Sequence, residues 1–265
     1  MVSLLRKRSR SGSAASAFVL LILIVLILLV GYYFILPYFS PAAPELKISP
    51  NWAGYMVVSD LSSPAPMVAV VNGSWTVPSV TGTSDSYSAV WIGIGGQYDT
   101  TLVQAGTLQD WVNGQAEYSA FYEALPAGLI TIDSINVSPG DVISVSISLV
   151  DSAANIWSIE LLDGTTGQSF QTSLAYGSTQ LSAEWIVERP TLVADNQIAT
   201  MPDFGSIQFT GCIVKMGSGF GGIRDFPRLQ YSMYELDLNS TLAIANVSPL
   251  SADGKSFTVT FLGRT

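Results

Sequence analysis

The sequence predicts an all-β fold, an antiparallel two-sheet β-sandwich behind one N-terminal transmembrane helix. Three observations carry that reading. Beyond residue 50 the chain is a series of short apolar or alternating runs separated by Gly, Pro, Asn, Asp and Ser. No stretch there sustains a helical period with caps, and many short strands at regular spacing mean a sandwich or barrel. Near the start, by contrast, residues 17–36 form a single uncharged apolar run, about the 20 residues that a bilayer-spanning helix needs.

Arg6, Lys7, Arg8 and Arg10 precede that run, and Tyr32, Tyr33 and Tyr38 cluster at its far end. Positive charge stays inside and aromatic rings sit at the interface. The expected organisation is a basic cytoplasmic N-terminus (1–16), a signal anchor (17–36), a tether (37–50) and one extracellular domain (51–265). The tether is read as extended from Pro37, Pro41, Pro44 and Pro50. A cleaved signal peptide is the rival, with Ser40-Pro41-Ala42 as its small-residue site, but the run exceeds the 7–15 residues usual for such a core.

In chain order, strands are expected over 53–58, 67–77, 87–94, 101–105, 115–124, 129–136, 141–150, 156–162, 168–175, 182–188, 205–214, 229–237 and 255–262. Turn signals are Asn72-Gly73, Asn113-Gly114, Pro139-Gly140-Asp141, Asp163-Gly164 and Asp253-Gly254. The Gly-rich segment 215–228 reads as a flexible loop. It is no phosphate loop, since it lacks the Lys-Ser/Thr ending and a following helix. Asn72, Asn136, Asn239 and Asn246 each open an Asn-X-Ser/Thr triplet, which fits an outside location.

Charge and composition exclude whole classes of function. The four basic residues before the apolar run leave seven of 11 Lys and Arg against all 20 Asp and Glu beyond it, a net of −13. A domain with no basic footprint is not a nucleic-acid binder. The chain has no histidine, which removes Ser-His-Asp and Cys-His catalysis and His-based zinc sites together. Its one cysteine, Cys212, can form no intrachain disulfide. The remaining toolkit is carboxylates, amides, hydroxyls and aromatics, with no metal or cofactor expected.

Two stretches are candidates for chemistry. In Ser182-Ala183-Glu184-Trp185-Ile186-Val187-Glu188, alternation puts Ala183, Trp185 and Val187 on one face and Ser182, Glu184, Ile186 and Glu188 on the other. A Glu in such a strand faces water at an edge or sits in a cleft with partners. Gln104 ends the apolar run Leu102-Val103 before Gly106. An interior amide there is either a satisfied core group or a donor held for a visiting molecule.

Six pieces in order resemble one family. They are Asn51-Trp52-Ala53-Gly54-Tyr55, Gly73-Ser74-Trp75-Thr76-Val77-Pro78, Trp91-Ile92-Gly93-Ile94-Gly95-Gly96, Gln104-Ala105-Gly106, Tyr118-Ser119-Ala120-Phe121-Tyr122-Glu123 and Ala183-Glu184-Trp185-Ile186-Val187-Glu188. Together they resemble the glutamic peptidases (eqolisins), acid endopeptidases with a jelly-roll or concanavalin-like sandwich and a Gln/Glu dyad. The resemblance covers about residues 50–212.

It implies that Glu184 and Gln104 are catalytic, and that Trp52, Trp91, Phe121 and Glu123 line the substrate cleft. A carboxyl can serve a water as general base and a leaving amine as general acid, and a Gln N–H can donate to a developing oxyanion. The implied protein is a monomeric, membrane-anchored, acid-active endopeptidase at the cell surface that takes protein or peptide substrates.

The sequence departs from the family pattern in places. Leu108 stands where some members carry a carboxylate, Ser119 where some carry Asp, and Phe121 where Trp is usual.

Two rivals remain at this level, a carbohydrate-active sandwich and a non-catalytic surface binding module. Glu184 and Glu188 are four strand residues apart, about 13 Å, wide of the ~5–9.5 Å used in glycoside hydrolysis.

Overall fold

The structure, a computed structural model, describes residues 21–26, 43–192, 196–237 and 240–263. The chain divides into two units, 1–43 and 44–265. In the first, residues 21–26 are helical. The cytoplasmic segment 1–16 and the rest of the expected anchor lie outside the described residues, among which no helix is long and apolar enough to cross a membrane.

Among its described residues the second unit has sixteen strands: β1 (Glu45–Ser49), β2 (Trp52–Val58), β3 (Val68–Thr76), β4 (Ala89–Gly95), β5 (Leu102–Val112), β6 (Gln115–Ala124), β7 (Ile130–Thr131), β8 (Val142–Asp151), β9 (Ile156–Asp163), β10 (Ser169–Ala175), β11 (Ser182–Glu188), β12 (Ser206–Met216), β13 (Gly219–Gly222), β14 (Arg228–Asp237), β15 (Ser240–Val247) and β16 (Phe257–Phe261). Their pairing runs in one continuous path, β10-β9-β8-β3-β12-β16-β15-β14-β2-β11-β4-β5-β6-β7. All pairs are antiparallel except β1, which joins β14 in parallel.

The path folds back so that β3, β8 and β9 lie over β11, β4 and β5. Inward-facing Val, Ile and Trp side chains of both layers then share one core. Two indoles cross the layers with their polar edges satisfied. Trp185 Nε1 donates to the Asn72 carbonyl at 2.7 Å, and Trp75 Nε1 donates to Thr107 Oγ1 at 3.1 Å. Such large side chains dominate a core's energetics, and a buried indole needs this partner.

The path also answers what the segment after residue 215 does, because it closes the sandwich. β16 pairs with β12 of one layer, β15 pairs with β16, and β14 pairs with both β15 and β2 of the other layer.

Several sequence expectations are corrected. Asn72-Gly73 is no turn but lies inside β3. A Cβ at Gly73 would stand 2.8 Å from Trp185 Cδ1, so the glycine gives the indole room. The strand expected over 129–136 shrinks to Ile130–Thr131, after which Ile132 and Ile135 turn inward to plug the core. The Gly-rich 215–228 is no flexible loop, because Gly219–Gly222 pairs back on β12 and Asp225 Oδ2 accepts the Gly222 N–H at 2.8 Å. Residues 45–49, inside the segment read as tether, form β1. β15 was not foreseen, since its Ala and Asn residues have weak strand preference. Asn113-Gly114 is a hairpin turn as expected, with φ of 51° and 78°.

Candidate active site

β11 lies between β2 and β4, so Glu184 is not on a solvated edge. Its neighbours Ala183, Trp185 and Val187 face the sandwich core, and Glu184 faces the opposite side of the same layer. The register then fixes what stands beside it. Glu184 is opposite Met56 on β2 and Gly93 on β4, Gly93 is opposite Gln104 on β5, and Gln104 is opposite Glu123 on β6. Cross-strand partners share a face. Met56, Glu184, Gly93, Gln104 and Glu123 therefore form one row across five strands.

Gly93 puts no side chain of its own in the middle of that row, and the tips of Leu102 and Trp91 close over it. Neighbouring strands are about 4.8 Å apart, so the Cα atoms of Glu184 and Gln104 are roughly 10 Å apart. A Cβ on Gly93 would meet Leu102 Cδ1 at 2.9 Å and Trp91 Cζ3 at 3.0 Å.

Glu184 is 0% exposed, and neither carboxyl oxygen has a hydrogen-bond partner. Burial pushes its pKa well above the usual carboxylate range, with the nearby Ser182 hydroxyl working weakly the other way. The group is therefore a neutral carboxylic acid in acidic solution. Gln104 is also buried, and its Nε2 donates to Glu123 Oε2 at 2.7 Å while its Oε1 has no partner. Burial raises the Glu123 pKa, opposed by that hydrogen bond.

The remaining residues singled out in the sequence flank this row. Trp91 lies one step along the face, in the row Ile186–Trp91–Gly106–Phe121. Trp52 packs edge-on against Trp91, with ring centres 5.4 Å apart. Trp91 and Phe121 join Ala89, Leu102 and Ile186 in an apolar cluster on this face. Met56, Val58 and Leu229 form a second cluster, with Trp52 and Tyr231 against it. Gln104, Glu184, Trp52, Trp91, Phe121 and Glu123 thus all lie on one face. Leu108 and Ser119, two of the departures from the family pattern, are directly opposite one another on β5 and β6.

Glu188, which the sequence puts on the face of Glu184, and Tyr231, which it does not single out, also belong to this face. Glu188 Oε2 accepts the Trp91 indole N–H at 2.8 Å, and its Oε1 accepts Asn51 Nδ2 at 3.3 Å. Burial brings its pKa up to about 7. Strand alternation already put Glu188 on the face of Glu184, so that signal was present. Tyr231, opposite Gly54, donates its hydroxyl to Gln97 Oε1 at 2.9 Å. Nothing local marks it, because β14 reaches this layer only through the closing strands. β1 borders the same face, with Lys47 opposite Tyr231, Glu45 opposite Leu229, and the two side chains paired.

Among the described residues, no group of three or more acidic or cysteine side chains could hold a metal ion. A separate groove of about 570 Å³ lies on the other layer, lined by Asn72, Ser144, Ser146, Glu160 and neighbours. It contains no member of the row.

Comparison with known proteins finds related sequences and related folds. Residues 50–260 match the peptidase A4 family. Aspergillopepsin-2 of Aspergillus niger is 27% identical over 241 residues, covering 82% of this chain and 79% of that protein. Scytalidopepsin B of Scytalidium lignicola is 28% identical over 189 residues, covering 67% and 68%. The crystal structure of aspergilloglutamic peptidase from Aspergillus niger superposes with a TM-score of 0.56 at 28% identity, over 67% of this chain and 99% of that one. A scytalido-glutamic peptidase structure with a transition state analog inhibitor shares the fold, with a TM-score of 0.66 at 22% identity over 81% of this chain and 99% of that one.

Proposed function

Because this chain belongs to the peptidase A4 family and is a glutamic endopeptidase, we propose that Glu184 and Gln104 are its catalytic pair. The reading is supported above all by the Glu184–Gly93–Gln104 row, in which both oxygens of a fully buried carboxyl lack any partner from the chain. An unpartnered buried carboxyl is costly. Here its two oxygens are reserved for atoms that arrive with the substrate.

The chemistry follows from that reservation. Protonated Glu184 gives its proton to the scissile carbonyl oxygen while its other oxygen takes one from the attacking water. The C–O bond forms and the carboxyl is again protonated. In the second half Glu184 protonates the leaving nitrogen and recovers a proton from the tetrahedral carbon's hydroxyl as the C–N bond breaks. Gln104 keeps one N–H on Glu123 and donates the other to the oxygen that gains negative charge, a contact of a kind worth about 2.7–4 kcal/mol. Since the cycle starts from the acid form, activity is present below the raised pKa of Glu184 and is lost as pH rises through it. Half-buried Trp52 flanks the row with buried Trp91 and Phe121 packed behind it, and an apolar side chain of a peptide suits such a wall.

The same proposal places the enzyme at the cell surface as a single-pass protein, with the N-terminus cytoplasmic. Support comes from the apolar run 17–36 and the basic residues before it. Alkaline carbonate extraction of membranes tests it, because release of the intact chain is incompatible with a spanning helix.

The decisive test of the dyad is cleavage of an unfolded protein by the full chain across about pH 2–7, beside Glu184→Gln and Gln104→Ala. Acid-confined activity that both variants abolish is the expected result. Wild-type turnover in either variant overturns the assignment.

A further inference from the structure

The hydrogen bond from Tyr231 to Gln97 has a path that the register makes unusual. Tyr231 stands in the row Tyr231–Gly54–Ile186–Trp91. Gln97 belongs to the turn after β4, two residues beyond Gly95, on the far side of the row that contains Glu184. A bond of 2.9 Å between them carries the phenol diagonally over Met56 and Glu184. Two further observations agree. The ring packs against the Met56–Val58–Leu229 cluster, and the phenol lies within electrostatic range of the Glu184 carboxylate. Leu102 and Trp91 reach over Gly93 on one side of Glu184, and the tyrosine crosses its other side, in keeping with its complete burial.

We propose that Tyr231 is a substrate-binding residue of this cleft, its hydroxyl held by Gln97 in the free enzyme and donated to a main-chain carbonyl of the bound peptide. The exchange is chemically even, because Gln97 Oε1 is itself an amide carbonyl and a peptide carbonyl is the same acceptor. Gln97 can also yield. It is half-buried, and it follows Gly95 and Gly96, both in the left-handed region with φ of 100° and 92°. Arriving peptide therefore displaces one side chain and inherits its hydrogen bond. The inference rests on Glu184 being catalytic, which makes this face the substrate cleft.

Steady-state kinetics on an internally quenched peptide cleaved at acidic pH test it, using the full chain with Tyr231→Phe, Gln97→Ala and Glu184→Gln. Removing the hydroxyl while keeping the ring raises KM about 3- to 10-fold, the worth of one hydrogen bond, with kcat within about two-fold. Gln97→Ala lowers KM, because the phenol is then free. An unchanged KM in Tyr231→Phe, or a fall matching that of Gln97→Ala, overturns the proposal and leaves Tyr231 as cover only. Glu184→Gln separates the two readings. Activity retained there overturns the dyad, whereas activity lost there with KM unchanged in Tyr231→Phe overturns the role of Tyr231 alone.

Discussion

Gln104 donates to Glu123 across a 2.7 Å hydrogen bond between directly opposed residues of β5 and β6. With Nε2 as the donor, the second N–H of the amide is left for another acceptor. Glu123 is thereby a positioning residue for Gln104. Glu123→Ala should lower kcat by about tenfold with little change in KM, less than the 10²–10³-fold expected when the donor itself is removed. Glu123→Gln should recover part of that loss, since its carbonyl can still accept. Equal kcat in all three proteins would show that the amide is aimed by something else.

Gly93 is the position where a single methyl should separate activity from folding. Its Cβ would meet Leu102 Cδ1, Trp91 Cζ3 and the Val103 carbonyl oxygen, and would stand between Glu184 and Gln104 in the row. Overpacking of this kind costs about 1–3 kcal/mol. Gly93→Ala is expected to lose at least about 100-fold in kcat/KM while retaining a cooperative unfolding transition.

Gly73 makes the complementary case in the core. A Cβ there would be 2.8 Å from Trp185 Cδ1 and 3.0 Å from Ile92 Cγ2, with no solvent to yield into. Gly73→Ala should destabilise by about 1–3 kcal/mol. Trp185→Phe should cost about the same, through the lost bond to the Asn72 carbonyl and the space left behind. Denaturant midpoints at acidic pH measure both. Wild-type midpoints would mean that β3 and β11 do not pack as described.

Stability should fall as pH rises. Burial lifts the folded-state pKa of Glu184 and Glu123, of Glu188 up to about 7, and of Asp110 up to about 6. A carboxyl raised in this way holds its proton more tightly in the native chain than in the unfolded one. Its contribution is full below the unfolded value of about 4 and is lost as pH climbs through the folded value. The window is therefore about pH 4–7, and Tm at pH 7.5 should lie at least about 5 °C below that at pH 4. Asp110 faces Glu117 directly across the hairpin, which adds repulsion in the same direction. A Tm that rises over this window would contradict the burial of these groups.

How much was legible in the sequence differs by element. Alternation in 182–188 put Glu184 and Glu188 on one face and Trp185 on the other, which is how β11 folds. What alternation could not give is register. Only the pairing of β4 with both β11 and β5 shows that Gly93, rather than a bulky residue, separates Glu184 from Gln104. Asn72-Gly73 misled because the same dipeptide serves a tight turn or a strand under an indole, and Trp185 is 112 positions away in the chain. Tyr231 was silent for the same reason, since its importance depends on β14 docking beside β2. The family resemblance led to the dyad but not to the phenol lying over it.

The order of strands along the chain has a consequence for biosynthesis. β14, β15 and β16 fasten one layer to the other, and they are the last strands of this domain to be synthesised. Until then β2 lacks its outer neighbour, the second apolar cluster lacks Leu229, and Tyr231 is absent from the cleft. Domains fold as units during synthesis, and here the unit is complete only once these three strands have emerged. A chain without them is a peptidase whose substrate face is unfinished.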